Sequence, residues 1–163
     1  MTIRPLLRPR RFGHVFQLDP VLCGTLAQEQ ALRNALSPPY GSKPHALLQN
    51  FDRYYNRTYQ RHYVNLEIKD FGSDTRLALA GSVSVAFSDQ LDPTPLKDIA
   101  RHEFGHALDN TDYLTQSDRS WFMSALGIVP DWSGCREAWA DAVRDWWNGT
   151  SWKSLDGVLL RGR

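Results

Sequence analysis

An α+β domain is the fold class the sequence predicts, with a small twisted sheet beside one helix that carries a histidine pair and a second helix that carries carboxylates. Two observations lead there. HYVNLEIKDF and RLALAGSVSVAFSD alternate apolar with other residues at the period of two that marks half-buried strands. PLKDIARHEFGHALDN, and later CREAWADAVRDWWNG, place apolar residues three and four apart instead, the spacing of a helix face. At 163 residues, 42% hydrophobic and 23% charged, the chain suits one globular domain rather than a disordered segment.

Taken in order, residues 1–20 are basic and punctuated by proline, which predicts an extended arm or lead-in, and residues 21–163 a single domain. TLAQEQALRNAL sets Leu26, Ala27, Ala31, Leu32 and Leu36 at helical spacing, and SPPYGSKP stops that helix. KPHALLQNFDRYYNRTY is a second helix, whose Phe51, Tyr54, Tyr55 and Tyr59 are expected in the core. Val64, Leu66 and Ile68 then form the apolar face of a strand. Leu77, Leu79, Val83, Val85 and Phe87 continue the sheet as one or two strands broken near Gly81. Thr94 can cap the next helix, with Pro95 in its first turn where a missing amide hydrogen costs nothing extra. RSWFMSALGI is a short helix, VPDWSG breaks it, and a last helix runs from near Ser133 to Trp147 before Asn148-Gly149 ends it. The tail SWKSLDGVLLRGR has no assigned place.

A net charge of +1 provides no global field for nucleic acid. The one basic cluster, Arg4, Arg8, Arg10 and Arg11, suits an acidic protein partner better. No run reaches transmembrane length, and the first residues lack the apolar stretch of a secretory signal, so the expectation is a protein made in the cytoplasm without a membrane span, with virion association or export by a non-classical route as alternatives. Cys23 and Cys135 are too few for a disulfide framework and read as two buried or partly buried thiols.

His102-Glu103-Phe104-Gly105-His106 carries the chemistry. Residues four apart on a helix lie above one another, so His102 and His106 can direct ring nitrogens at one Zn²⁺. Glu103, rotated about the axis, suits a general base. With five histidines and four glutamates in the chain, chance seldom produces this pattern. Ile99, Phe104, Ala107 and Leu108 can anchor the helix, and Gly105 lets another segment approach.

A third ligand is needed. Glu137 in REAWADAV is one candidate, and Asp141, four residues on, can accept the distal N–H of a ligand histidine. Asp112, six residues beyond His106, is the alternative. It requires a sharp turn that usually wants glycine where Asp109 stands. Asp109 reads as a group supporting the ligands or hydrogen-bonding the helix end.

HEFGHALD followed by Glu137-Ala-Trp-Ala-Asp141-Ala-Val resembles the zincin metallopeptidases of the anthrax lethal-factor-like group, including the Pro-Pro endopeptidases, and small HExxH proteins of actinobacteria and their phages. The resemblance covers chiefly residues 83–147. It implies a minimal zincin-like metallopeptidase domain with one Zn²⁺ held by His102, His106 and Glu137, Glu103 as base, and Asp141 on the second acidic position of the later helix. It also implies an exposed edge strand beside the active helix for an extended peptide substrate, and SVSVAFSD, with Val83, Val85 and Phe87, is expected there. The family tyrosine that steadies the oxyanion falls at Pro130 here, leaving Tyr113, His62 or Arg144 as substitutes. The expected activity is therefore zinc-dependent hydrolysis of a protein or peptide. The alternatives are a zinc amidase acting on cell-wall peptide and a virion-associated structural protein built on the same fold.

Overall fold

The computed structural model describes residues 10–19, 24–73, 76–127 and 131–162. Five strands form one mixed sheet in the order β1-β2-β3-β5-β4, built from β1 (Arg10–Phe12), β2 (Phe16–Leu18), β3 (Val64–Lys69), β4 (Ala78–Ala80) and β5 (Ser84–Ser88). β2, β3 and β5 run parallel, with Phe16 opposite Val64 and Leu66 opposite Val85, while β1 and β4 are antiparallel edges. The helices are α1 (Leu26–Leu36), α2 (Lys43–Tyr59), α3 (Pro93–Asn110), α4 (Gln116–Leu126), α5 (Arg136–Asn148) and the short α6 (Asp156–Leu159). This is the expected α+β class. Among the described residues no helix is long and apolar enough to cross a membrane.

Local chemistry explains most boundaries. Thr25 and Gln28 form a reciprocal capping box at the start of α1, and the Gln28 amide also donates to the carbonyls of Asp89 and Leu91, at 2.8 Å each, tying α1 to the approach to α3. α2 starts at a Ser42 cap and ends at Gln60 in the left-handed region. α3 begins two residues earlier than expected: Asp92, not Thr94, is its N-cap and Pro93 its first residue, a position as tolerant of proline as the later one. α5 follows a 3-10 turn over Trp132–Cys135 and stops at Gly149 in the left-handed region. The tail supplies a further 3-10 turn over Lys153–Leu155 and α6, whose Val158 and Leu159 are buried.

Two sequence expectations are corrected. Residues 10–18 are not an arm but two sheet strands, with Val15, Phe16 and Leu18 buried, so the core extends well before residue 21. The hairpin turns through Gly13 and His14, both at positive φ, and a Cβ on Gly13 would stand 2.2 Å from the Leu36 carbonyl oxygen at the end of α1. Arg11 lies 4.3 Å over the Tyr63 ring. Arg4 and Arg8 of the basic cluster, together with Cys23, lie outside the described residues; Cys135 is buried. The second correction concerns β5, which pairs on both sides and is interior. Val85, Ala86, Phe87 and Ser88 are all buried, the mark of a strand covered on both faces, and Val83 precedes it in a bend. The edge is β4.

The core sits where α3 meets the sheet and α2. Phe104 packs edge-on against Phe16, Phe51 and Trp147, with ring centroids 5.4, 5.4 and 5.7 Å away. Truncating such a phenylalanine costs about 3–5 kcal/mol. Its burial fixes the rotation of α3 and thereby directs the neighbouring histidines away from the core.

Candidate metal centre

α3 offers His102 and His106 on one face, and α5 crosses it at Gly105. Ala140 Cα lies 2.8 Å from where a Cβ on Gly105 would stand, and Trp139 Nε1 donates to the Gly105 carbonyl at 2.9 Å. That close approach brings the first turn of α5 over the histidines. Glu137 Oε2 lies 3.2 Å from His102 Nε2, and Oε1 lies 2.9 Å from His106 Nε2.

One ligand atom from each of the three residues falls within 4.8 Å of the others. Tetrahedral ligands about 2.0–2.1 Å from an ion are separated by about 3.3 Å, near the 3.2 and 2.9 Å contacts that the two Glu137 oxygens make with the His102 and His106 rings. The donors also fit chemically. Asp141 Oδ1 lies 2.8 Å from His102 Nδ1 and is itself paired with Arg144 Nη1 at 3.1 Å. With the Nδ1–H donated to Asp141, His102 keeps its Nε2 lone pair pointing at the gap. Two imidazole lone pairs and a carboxylate facing one another repel unless a proton or a cation lies among them, so the set suits a divalent ion.

The electrostatics agree. Burial pushes the His106 pKa down, Glu137 draws it up, and His102 and Arg136 push it down again, leaving it lowered and the ring neutral for ligation. Glu103 is 8% exposed and lines the same cleft. Burial raises its pKa from 4.5 to about 7, with His102 opposing and Glu137 adding to the shift. A bound cation acts in the opposite direction and favours the carboxylate.

The remaining expected residues are placed as follows. Asp112 is outside the cluster: it is 77% exposed, sits at φ 55° and accepts from Arg119 Nη2 at 3.0 Å. The turn after α3 therefore exists, but its left-handed residue is Asp112 itself, and its carboxylate faces Arg119. Asp109 does not touch the histidines. Buried to 5% exposure, it accepts from Arg119, from Trp132 Nε1 at 2.9 Å and from Arg136 Nε at 3.1 Å. It is a helix-end hub that fixes the start of α5, one residue before Glu137. Of the substitutes for the family tyrosine, Tyr113 is buried and donates to the Leu159 carbonyl, while the His62 ring bonds the Asn56 amide. Arg144 lines a hollow of about 250 Å³ beside His102 and Glu103. Pro130 lies outside the described residues.

Three features of the site were not read from sequence. α3 is the floor of a cleft of about 600 Å³, flanked by β4 on one side and the start of α5 on the other. Leu77 and Gly81 bond β5, so by strand alternation the backbone groups of Ala78 and Ala80 face the free edge. Asn110 joins the two walls at one end, donating to the Ala80 carbonyl at 3.1 Å and accepting from Arg136 Nη2 at 2.6 Å. The LALA alternation signalled a strand, but no local signal marked it as the edge.

The chain matches no protein-family model, no curated protein and no solved structure.

Proposed function

We propose that this protein is a zinc-dependent metallopeptidase of the zincin type, hydrolysing peptide bonds of a protein or peptide substrate. The observation that carries the reading is the convergence of His102, His106 and Glu137 from two helices, with Glu103 beside them in an open cleft. Zn²⁺ bound there would supply Lewis acidity and lower the pKa of water to about 7.

The chain's own groups then have defined tasks. An extended substrate pairs with the outward backbone groups of Ala78 and with the Ala80 amide, because Asn110 already occupies the Ala80 carbonyl. Glu103 accepts a proton from the attacking water and returns it to the leaving amine nitrogen as the C–N bond breaks. Its burial favours the protonated form it reaches after the first transfer. Asp141 orients His102 and raises its basicity. Of Tyr113, His62 and Arg144, Arg144 lines a hollow with His102 and Glu103 and is the candidate for the role of the missing tyrosine.

Replacing Glu103 by Gln tests this reading. The variant is expected to retain fold and zinc while losing hydrolysis of a diverse peptide library that the wild type cleaves. Unchanged turnover would exclude Glu103 as the base. Stoichiometric zinc in a wild type that cleaves nothing would favour a scaffold instead.

A further inference from the structure

The β4 wall of the cleft carries apolar surface that the hydrolytic chemistry leaves unused. Leu77 and Leu79 are 56% and 53% exposed, while Ala78 and Ala80 pack against the core. That alternation puts both leucines on one face of the edge strand, two residues apart. Leu26, Tyr40 and Trp121, the other large apolar residues exposed among the described ones, stand singly on α1, on a loop and on α4. Sheet edges are commonly kept polar by lysine or interrupted by proline, whereas residues 77–80 read LALA. Each leucine also borders a hollow with a second apolar side chain. Leu77 does so with Ile99 in one of about 250 Å³ and Leu79 with Phe71 in one of about 240 Å³, the other lining groups of both being ionisable.

We propose that the cleft selects extended peptides with large apolar side chains at two positions separated by one residue, packed across from Leu77 and Leu79. The inference rests on the metallopeptidase reading for the cleft's purpose and names the substrate class of that site. The outward backbone groups of β4 still free for a partner are the N–H and C=O of Ala78 and the N–H of Ala80, since Asn110 holds the Ala80 carbonyl. A strand that pairs with Ala78 sets the residues before and after its partner opposite Leu77 and Leu79, on their face, with Cβ atoms about 4.5–5.5 Å away. Both leucines turn their own backbone groups to β5, so on the free edge they occupy non-hydrogen-bonded positions, where facing side chains stand closest. So short a row of backbone bonds holds neither a peptide nor a second copy of the chain by itself, and side-chain burial at these two positions decides what binds. Because His102, Glu103 and His106 line the same cleft, the occupant that fits is a substrate strand.

Binding separates this inference from catalysis. The Glu103→Gln protein, loaded with one equivalent of Zn²⁺, is titrated into fluorescein-labelled, C-terminally amidated peptide pools that are degenerate over Ser, Thr, Asn and Gln apart from two fixed residues. The fixed residues are Leu-x-Leu, Leu-x-x-Leu or Ser-x-Ser. Leu-x-Leu is expected to bind about tenfold tighter than Ser-x-Ser, the fold-change of partly burying two leucines against two others. Leu-x-x-Leu, whose leucines fall on opposite faces of a strand, should lie between them. Leu77→Gln and Leu79→Gln should each reduce the preference and together remove it. Both side chains are more than half exposed, so circular dichroism and zinc content should stay as in the parent.

Equal binding of Leu-x-Leu and Ser-x-Ser would overturn the proposal, as would Leu-x-x-Leu binding as tightly as Leu-x-Leu, or a preference that survives the double change. So would a dimer in sedimentation that the double change dissolves, which would give the edge to a second copy. Wild-type protein incubated with the same pools tests the underlying reading separately by mass spectrometry of products. Cleavage without a preference for Leu-x-Leu contradicts this inference alone. Selective Leu-x-Leu binding without any cleavage supports it while contradicting the peptidase.

Discussion

Ala140 packs so closely on Gly105 that its Cα would stand 2.8 Å from any Cβ placed there. This contact sets the height of α5 over α3, and so the distance from Glu137 to the two histidines. Gly105→Ala must push α5 outward. It is expected to cost about 1–3 kcal/mol in stability, the usual range for overpacking, and to weaken zinc binding as well. Urea unfolding and a competitive zinc titration check the two effects. A variant that loses stability but binds zinc normally would show that Glu137 is not positioned through this contact.

Glu137 and Asp112 offer a contrast in ligation. Glu137→Ala should lower zinc occupancy sharply, whereas Asp112→Ala should leave it unchanged, because the Asp112 carboxylate is held by Arg119 outside the cluster. Asp112→Gly should also be tolerated or mildly stabilising, since glycine adopts a φ of 55° without strain. Metal analysis after gel filtration is the readout, and loss of zinc in the Asp112 variant instead would reverse the assignment.

Asp141→Asn probes orientation of a ligand from behind. The Asn side chain keeps the shape but loses the charge that raises His102 basicity, and zinc affinity should fall about 10–100-fold. Glu137 and His106 remain, so a second measurement, the pH at which zinc is released, should move upward. Unaltered affinity would mean that the 2.8 Å contact between Asp141 and His102 has no part in ligation.

Glu103 gives a pH dependence in the metal-free protein. Its folded pKa of about 7 exceeds the ordinary 4.5. Between those values the unfolded chain releases a proton that the folded chain retains, so stability falls as pH rises through that window. Chelator-treated Glu103→Gln should therefore be more stable than wild type at pH 8, by on the order of 2–3 kcal/mol, with a smaller difference at pH 5. Zinc should narrow the gap at pH 8 because its charge favours the carboxylate. Denaturant curves at the two pH values decide it, and parallel behaviour of the two proteins would show that burial does not penalise the ionised group.

What could be read in the sequence was what helical and strand periods encode. The histidine pair, the core role of Phe104, the approach at Gly105 and the candidacy of Glu137 and Asp141 all follow from residues three or four apart on two helices. Strand order was beyond that reach. SVSVAFSD has the stronger strand character and ALA the weaker, yet the weaker segment is the edge, because order is fixed by long-range pairing that period does not record. The first hairpin was hidden for a related reason. Its strands are three residues each, too short for alternation to register, and their pairing is stabilised by β3 far along the chain. Asp109 illustrates a third limit: its position at a helix end was visible, but its convergence with Arg119, Trp132 and Arg136 depends on how three later segments fold back.

The central claim is that one divalent ion is shared by α3 and α5. X-ray absorption at the zinc edge, on protein purified without added metal and compared with His106→Ala and Glu137→Ala variants, tests it most directly. The account expects one zinc per chain with two nitrogen ligands from histidine and oxygen in the remaining positions, and loss of a nitrogen or an oxygen scatterer in the respective variant. A wild-type protein that retains no metal at neutral pH, or whose metal environment is unchanged in both variants, would contradict it.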